Sequence, residues 1–450
     1  MLQRLKTLQR YPSAIIGIVV LAMLLTVSIY AVIAIPYGEA IRLWRGGPGV
    51  WDDNPRNAAP VWFDWFTGDK LPRTIIVSTA DAGVKRVEPI GGGKSRVEIT
   101  LPFTYNYDRF PSELILNSEA VSESSTRTRF SVFWRTPAGD MVPLATNRAM
   151  RATDNYYISQ DLNVSSQLPA GTARPEVGLF SDYAVSAPEK ERTPVKGDYA
   201  VVIQAEIPEG ADYNARLVVY GTVHGVAGTD HRRRDLTVAL LWGAPLALVF
   251  GLAAAVGTSL ITFVLSGIGT WYGGALDALF ERLTEITMII PFYPVLIMIG
   301  QFYNRSLWIM LGVTIALSIF GGAMKTYRAM FLQAKETPYI EAARAYGAGN
   351  MRIVFRYLLP RIVPVLLPTF VTMVPSFVFL EASISVLGLG DPVLPTWGKI
   401  INDAQTNDAL YKGMYYWVVE PAVLLMVTGF AFSMLGYALD RVFNPRLRTV

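Results

Sequence analysis

Residues 236–265 read LTVALLWGAPLALVFGLAAAVGTSLITFVL and contain no charged side chain. At about 1.5 Å of rise per residue, a helix of this length exceeds the roughly 30 Å of hydrocarbon in a bilayer. A surface helix of a soluble domain would instead carry a polar stripe along one side. The stretch therefore predicts a membrane-spanning helix, and the rest of the chain is interpreted outward from it.

Five further segments are apolar enough to span a membrane. They lie at residues 14–35, 286–302, 307–324, 362–380 and 415–439. The first follows Arg4, Lys6 and Arg10, as a signal peptide would, but it is longer than the usual apolar core of about 7 to 15 residues. We therefore expect a retained anchor, and the sequence predicts an α-helical integral membrane protein with six transmembrane helices.

The composition narrows the function classes. Apolar residues make up 52% of the 450 residues and charged residues 17%, against about 25% charged in soluble domains. There is no cysteine, and His224 and His231 are the only histidines, which excludes a disulfide scaffold, a cysteine nucleophile and thiolate metal sites. We predict no catalytic residue and no metal site. The net charge of +4 gives no reason to expect nucleic-acid binding.

The basic residues predict the orientation, because Lys and Arg of short loops stay on the cytoplasmic side. With both termini inside, the cytoplasmic segments hold Arg4, Lys6, Arg10, Arg282, Lys325, Arg328, Lys335, Arg344, Arg352, Arg356, Arg361, Arg441, Arg446 and Arg448. The short outer loops hold only Arg305, Lys399 and Lys412. The predicted division is an N-terminus and first helix at 1–35, an extracytoplasmic domain at 36–235 and a five-helix core at 236–450.

Segment 36–235 has the pattern of an inserted all-β domain. Residues 97–103 alternate apolar and polar side chains, as one face of a half-buried strand requires. Similar β-rich runs lie at 74–79, 129–135, 199–207 and 216–223. Short strands separated by Gly, Pro, Asn and Ser predict a sandwich.

One stretch of this domain looks like a phosphate-binding loop, Gly91-Gly92-Gly93-Lys94-Ser95. The true motif needs a glycine where this chain has Glu88, and it opens a helix, whereas strand-like residues follow here. We therefore interpret the stretch as a turn between two strands. The chain is predicted to be a transporter subunit without ATPase motifs, and not an enzyme.

Aromatic and basic residues cluster where this domain meets the membrane segments. Trp44, Trp51, Trp62 and Trp65 could rest at lipid headgroups or could be ordinary core residues. The run Arg232 to Arg234 suits lipid phosphate, with an acidic surface of an external protein as the alternative.

The cytoplasmic loop 325–361 is predicted to form two short helices. Thr337 can cap the first helix, Pro338 suits its first position, and Gly347 should end it. Asn350 can cap the second helix, which should end near residue 359, before Pro360. The small side chains of the first helix would let its backbone enter a cleft on another protein, but a plain surface connector explains them equally well.

Four segments resemble known permeases. The run Glu341-Ala342-Ala343-Arg344-Ala345-Tyr346-Gly347, followed by Leu359-Pro360, resembles the Glu-Ala-Ala loop of binding-protein-dependent ABC importer permeases. Three further segments resemble the C-type subunit of the dipeptide, oligopeptide and nickel permease group. They are Gly228-Thr229-Asp230 with Arg234-Asp235, Glu381-Ala382-Ser383 with Leu387-Gly388-Leu389-Gly390, and Pro395-Thr396-Trp397-Gly398. Three residues depart from the family pattern: Arg233 replaces a usual Gly, Tyr357 an Ile, and Glu420 an apolar residue.

The resemblance implies a permease subunit of the inner or plasma membrane that forms half of a translocation pore. The implied partners are a second permease subunit in a heterodimer, two ATP-binding subunits and an extracytoplasmic substrate-binding protein. ATP and Mg would be bound by the partner subunits, and this chain would bind no cofactor. A peptide is the expected cargo, with an oligosaccharide or a metal chelate as the alternative. A membrane-anchored sensor is a rival, but it would need a cytoplasmic output domain, which the predicted loops lack.

Carboxylates within or beside apolar spans are costly and suggest function. Glu381 lies at the end of the fifth predicted span, where the resemblance favours a structural role over substrate contact. Glu420 lies just inside the sixth span and could either face the pathway or lie hydrated beside Trp417.

Overall fold

The computed structural model describes residues 12–81, 84–121, 128–150, 153–168, 172–182 and 187–443. It divides into two compact units. The helical unit comprises Met1–Arg45 and Val238–Val450, and the β unit comprises Gly46–Thr237. Five of the basic residues used for the orientation lie outside the described residues: Arg4, Lys6, Arg10, Arg446 and Arg448.

The helices are numbered in chain order. They are α1 (Pro12–Ala34), α2 (Tyr37–Arg45), α3 (Asp64–Thr67), α4 (Leu162–Ser165), α5 (Pro175–Gly178), α6 (Leu236–Tyr272), α7 (Gly274–Ile289), α8 (Phe292–Phe302), α9 (Leu307–Ile319), α10 (Gly322–Lys335), α11 (Pro338–Ala345), α12 (Asn350–Leu389), α13 (Trp397–Thr406) and α14 (Tyr416–Phe443). Helix α2 falls in the helical unit, although the sequence-based division assigned residues 36–45 to the outer segment. Its Trp44 is buried.

Four helices are long and apolar enough to cross a membrane by themselves: α1, α6, α12 and α14. Two bent pairs pass the same test together, α7 with α8 at 78° and α9 with α10 at 45°. The described residues therefore offer four spans, or up to six if each bent pair is one span. The predicted six spans stay a prediction.

The bends have local causes. The third predicted span, 286–302, is broken where Ile290 adopts an extended backbone before Pro291, because a proline pushes the preceding residue out of the helical region. The fourth, 307–324, is broken at Phe320 and Gly321, both non-helical. Hydropathy alone does not register either break, because both lie inside apolar runs.

Small residues set the helix contacts in the helical unit. A Cβ built at Gly17 of α1 would lie 2.8 Å from the carbonyl oxygen of Ala431 in α14. At Gly429 of α14 it would lie 2.7 Å from the ring of Phe379 in α12. The backbones of these helices approach closely because glycine leaves room, as is common between membrane helices.

The β unit contains nine strands in the described residues, in two antiparallel sheets. The strands are β1 (Ile75–Ser78), β2 (Lys85–Gly91), β3 (Lys94–Tyr105), β4 (Glu113–Val121), β5 (Thr128–Arg135), β6 (Met141–Met150), β7 (Thr153–Tyr157), β8 (Gly197–Pro208) and β9 (Asp212–Tyr220). One sheet has the order β1-β9-β4-β7 and the other β2-β3-β8-β5-β6.

The two sheets share one core, which makes this unit a sandwich. Along β3, every second side chain from Ser95 to Tyr105 is buried, and Leu217 of the facing sheet joins the same cluster. The core contains an aromatic cluster in which the rings of Trp134, Phe180 and Tyr199 contact each other at tilted or edge-on angles. The five strand segments read from the alternation are all strands in the structure.

The glycine run between β2 and β3 is a hairpin turn, as predicted. Gly91 pairs with Lys94, and the two residues of the turn, Gly92 and Gly93, have φ of 65° and 71°. Positive φ at both central residues is the geometry of tight hairpins, which glycine adopts without strain. The resemblance to a phosphate-binding loop therefore reflects turn chemistry.

The first and last segments of the β unit pair with each other. Ala59 forms a parallel bridge with Val223, the Asn57 amide donates to the Asp230 carbonyl at 3.0 Å, and β1 lies beside β9. The unit thus closes on itself at the end where the chain joins it.

Candidate functional site

The short helix α11 has the predicted bounds on both sides. It begins at Pro338, which fits the first position because the proline lacks only an amide that would be unpaired there. Gly347 ends it with a φ of 78°, and the Ala348 amide donates to the Ala343 carbonyl at 3.0 Å, as in a glycine-terminated helix. Thr337 occupies the capping position, but its hydroxyl donates backward to Ala334 instead of capping α11.

The second predicted helix of the loop is not a separate element. Asn350 is the first helical residue rather than the cap, which is Gly349, and the helix continues past Pro360 to Leu389 as α12. The prediction of an end before Pro360 was wrong because residues 354–358 form a π-helical turn. In this turn the Leu359 amide donates to the Val354 carbonyl, five residues back, so the helix reaches Pro360 in a register that differs from the α-helical one.

Helix α11 has one buried and one exposed side. Ile340 and Ala343 are buried in a cluster with Phe331 of α10 and Ile353 of α12. Among the predicted coupling residues on α11 and at its end, Glu341, Ala342, Arg344 and Gly347 are exposed. Tyr346, next to Gly347, is 92% exposed. Ile340 and Ala343 thus anchor one side of α11, and Glu341 and Ala342 lie on its exposed side.

The C-terminal end of α6 contacts α11 and the end of α10. The guanidinium of Arg344 lies 4.5 Å from the ring centroid of the buried Trp271. Lys335, at the end of α10, donates from Nζ to the carbonyls of Thr270 (3.0 Å) and Trp271 (3.1 Å). A cation at these carbonyls satisfies acceptors that the helix end leaves unpaired and complements its dipole.

Leu359 and Pro360, which close the family motif, have different environments. Leu359 is buried and Pro360 is exposed. A Cβ at Gly267 of α6 would lie 2.7 Å from the Leu359 side chain, so α6 and α12 meet at this glycine. No sequence pattern marks Trp271, Lys335 or Gly267 as members of this site, because each is an ordinary residue of its helix and only the fold brings them close to the motif residues.

The motif before α6, residues 228–235, joins segments of the β unit through buried hydrogen bonds and an ion pair. Thr229 and Asp230 are fully buried. The Thr229 hydroxyl donates to the Pro55 carbonyl at 2.7 Å and accepts from the Ala58 amide at 3.0 Å. Asp230 forms an ion pair with Arg234 at 2.5 Å. These contacts satisfy buried polar groups, which is a structural task.

The remaining residues of this motif form a turn and start a helix. Gly228 has a φ of 73°, and its carbonyl accepts from the Leu236 amide at 3.1 Å. Asp235 Oδ1 accepts from the Thr237 amide at 2.8 Å, the usual bond of a capping aspartate. Of the arginine run, Arg233 and Arg234 are buried and only Arg232 is exposed. The expectation that all three meet lipid was therefore wrong for two of them.

The two suspect carboxylates differ in setting. Glu381 is buried in α12 and accepts from the Ser385 hydroxyl at 2.8 Å, and the Thr396 side chain bonds it as well. This satisfied setting fits the structural alternative. Glu420 is partly buried in α14, near the fully buried Trp417, and the structure leaves both of its alternatives in place.

The Pro-Thr-Trp-Gly motif joins α13 to α6 and α12. The Trp397 indole donates to the Leu240 carbonyl at 2.9 Å, and its ring faces Gly243, where a Cβ would lie only 2.1 Å away. At Gly398 a Cβ would lie 2.7 Å from the Ala382 backbone. Each glycine of this motif region permits a contact that no other residue allows.

Comparison with known proteins agrees with this arrangement of motifs. Residues 247–449 match the family described as "Binding-protein-dependent transport system inner membrane component". The chain is 30% identical over 224 residues to the oligopeptide transport system permease protein OppC of Bacillus subtilis, covering 49% of this chain and 72% of that protein. It is 29% identical over 224 residues to the dipeptide transport system permease protein DppC of the same organism, covering 49% and 68%.

A third relative extends the likeness to another organism. The oligopeptide transport system permease protein OppC of Escherichia coli is 28% identical over 222 residues, covering 49% of this chain and 72% of that protein. The matched share is about half of this chain, and the family match at 247–449 begins beyond the β unit. The chain therefore belongs to the family of binding-protein-dependent transport system inner membrane components and is a multi-pass membrane permease of the ABC importer type.

Proposed function

We propose that this chain forms half of the translocation pore of an ATP-driven peptide importer and is moved through α11 by a partner ATPase. The observation that carries the proposal is the one-sided burial of α11, which presents Glu341, Ala342 and Arg344 outward. A narrow, charged and rigidly held helix is suited to a cleft on another protein. We propose that the chain itself binds no cofactor and hydrolyses nothing, and that ATP and Mg bind to the two ATPase subunits.

The contacts of α11 supply the mechanical link. It packs on α10 and α12 through Ile340 and Ala343, and on the end of α6 through Arg344. A displacement of α11 would therefore shift three helices together, since packed interfaces switch between discrete arrangements and do not deform continuously. Nucleotide-dependent closure of the ATPase pair would bias the two arrangements of the pore. Helix α6 is thus part of the proposed mechanical link together with α10 and α12.

The cargo is proposed from the names of relatives. Two of the relatives above are named oligopeptide permeases and one a dipeptide permease. Another, 28% identical over 221 residues and covered over 56% of its length, is the "Peptidoglycan transport system permease protein YejE" of Agrobacterium fabrum. A peptide is therefore the proposed cargo, and an oligosaccharide or metal chelate remains the second candidate.

The topology follows from the same assignment. If α11 meets an ATPase, it faces the cytoplasm, and the charge distribution then supports a topology with the β unit outside and both termini inside. The proposed external partner is a substrate-binding protein, and the second permease subunit would complete the pore as a heterodimer.

Charge reversal on α11 tests the proposal. Glu341→Lys should abolish substrate-stimulated ATP hydrolysis and uptake in proteoliposomes that contain the copurified complex. Glu336→Lys is the matched control, because Glu336 is also exposed and lies only five residues away, outside α11. Equal uptake by both variants would contradict the coupling role.

Copurification separates the proposal from its rival. A permease should leave mild detergent together with two ATP-binding chains and a second permease. A membrane-anchored sensor should come out without them, and the importer assignment would then fail.

A further inference from the structure

An exposed apolar patch lies on the β unit, formed by Trp62, Trp65, Phe66 and Val226. Trp65 is 85% exposed, Phe66 78% and Val226 72%. Large apolar side chains exposed together are unusual on a soluble surface and indicate an interaction site. None of the three exposed side chains belongs to α11 or to the carboxylate positions discussed above.

Hydrogen bonds and a ring contact hold the residues of the patch in place relative to each other. The Trp62 indole nitrogen donates to the Val226 carbonyl at 2.8 Å, and its ring meets Phe66 edge-on at a centroid distance of 5.9 Å. The Val61 amide donates to the Gly225 carbonyl at 3.0 Å. Helix α3 thereby presents Trp65 and Phe66 outward from a rigid base.

The patch also lies close to the point where the long apolar helix α6 begins. Val226 is two residues before Gly228, whose carbonyl accepts from the Leu236 amide at 3.1 Å. Two residues span at most about 7 Å, so Val226 is near Leu236. From Leu236 to Tyr272 the helix carries no charged residue, so the hydrophobic segment starts at that point.

Two exposed arginines, Arg56 and Arg232, lie close in the chain to residues that bond to the buried Asp230. Arg232 is exposed, and its backbone amide donates to Asp230 Oδ1 at 2.8 Å. Arg56 is exposed as well, and the amide of the next residue, Asn57, donates to the Asp230 carbonyl at 3.0 Å. The backbone at or next to each arginine is thus held by the buried Asp230, which lies six residues before Leu236, the first residue of α6.

We propose that this patch, with Arg56 and Arg232, rests in the headgroup region of an anionic lipid surface. Aromatic rings with a polar edge favour that region, and guanidinium groups pair there with phosphate. The place of the patch beside the first residue of an uncharged, membrane-length helix favours lipid over a protein partner. The inference does not depend on the proposed transport function, because it requires only that α6 enters a bilayer.

The absence of cysteine from the sequence makes a direct test simple. Phe66→Cys in the full chain, with any copurifying subunits, is labelled with an environment-sensitive fluorophore and placed in nanodiscs of phosphatidylethanolamine and phosphatidylglycerol. Leu162→Cys is the control, because Leu162 is 83% exposed on the same unit. Both side chains are largely exposed, so neither substitution removes core packing; Trp65→Cys provides a second reporter for the patch.

The expected result is that shallow nitroxide-labelled lipids quench the Phe66 label several-fold more than the Leu162 label, while aqueous iodide shows the reverse order. Equal iodide quenching at both sites would overturn the proposal. Protection of Phe66 from both quenchers would also overturn it, because a protein would then cover the patch.

The arginines are tested separately in the Phe66→Cys background. Arg56→Gln with Arg232→Gln should weaken lipid quenching in the anionic nanodiscs. The control pair, Arg86→Gln with Arg96→Gln, removes two exposed cations from the β2–β3 hairpin. It should leave the lipid quenching of the Phe66 label unchanged. If both pairs behave alike, the phosphate contact is refuted.

Discussion

The guanidinium carbon of Arg233 lies 4.1 Å from the ring centroid of Tyr220. Arg233 also donates to Glu113 Oε2 at 2.5 Å and to the Asn54 carbonyl at 2.6 Å. Its φ is 65°, a left-handed conformation that favours glycine. Burial raises the pKa of Tyr220 to about 12, so the phenol stays protonated and donates to Asp52.

Substitution of Arg233 should separate backbone strain from side-chain contacts. Arg233→Ala keeps the strained φ, loses the ion pair and leaves Glu113 half-buried without its partner, which should cost roughly 2–4 kcal/mol. Arg233→Gly loses the same contacts but relieves about 1 kcal/mol of strain, so it should be the more stable of the two. Hydrogen exchange of β4 and β9 in the full chain measures the order. An alanine variant at least as protected as the glycine variant would refute the strain argument.

The contact between Trp271 and Arg344 of α11 predicts that loss of the Trp271 ring uncouples ATP hydrolysis from uptake. Trp271→Ala removes the ring beneath Arg344, a contact worth roughly 1–2 kcal/mol, and should lower uptake per ATP hydrolysed while the subunits still copurify. Trp271→Phe, which keeps a ring, should recover part of the coupling. Trp308→Ala is the control because Trp308 is half exposed on α9. An unchanged ratio of uptake to hydrolysis in Trp271→Ala would contradict a positioning role for Trp271, and loss of copurification would instead indicate a fault in assembly.

Glu176 gives the β unit a predictable pH dependence. Burial raises its pKa above the ordinary value of 4.5, although a hydrogen bond from Ser159 opposes this. The folded state therefore binds the proton more tightly than the unfolded state, so its contribution to stability is lost as pH rises through the folded pKa. Glu176→Gln should raise the unfolding temperature of the β unit near neutral pH and lose that advantage near pH 4.5.

Scanning fluorimetry of the purified full chain over this pH range checks the prediction, since Trp134 bonds to Leu179 beside this helix. Glu209→Gln is the control, because Glu209 is exposed. A gain for Glu176→Gln that is independent of pH would show that the carboxylate charge is not the cause.

The glycines around Trp397 should not tolerate a methyl group. Gly243→Ala and Gly398→Ala each place a Cβ inside the contact distance of packed atoms, and overpacking of this kind costs roughly 1–3 kcal/mol. Gly312→Ala in α9 is the control, because nothing lies within 4 Å of that position. Detergent thermostability measures the loss. Trp397→Phe should partly rescue Gly243→Ala but not Gly398→Ala, whose clash is with the Ala382 backbone.

Most of the strands that were predicted bury one face, although β1, which was also predicted, is an edge strand without a fully buried residue. The alternation along β3, β8 and β9 marks buried side chains, whereas β2, β6 and β7 lie at sheet edges. Along β2 no residue is fully buried, so the hydrophobic period that would reveal it does not exist. The central strand β4 was also missed, because its sequence ELILNSEAV changes from apolar to polar halfway along.

The candidate site was predictable in its local parts. Pro338 and Gly347 predict the bounds of α11, because the missing amide of proline and the positive φ of glycine are properties of single residues. The contact between Arg344 and Trp271 joins positions far apart in sequence, and no local pattern encodes such a pair. The continuation of α12 through Pro360 was missed for a related reason, since the π-helical turn that accommodates the proline has no sequence signal of its own.

The pairing of Ala59 with Val223, and of Asn57 with Asp230, has a consequence for the ancestry of the chain. A module whose two ends emerge side by side can be spliced into a surface loop of a host protein without rethreading the host. The β unit is therefore suited to gain, loss or exchange as a cassette.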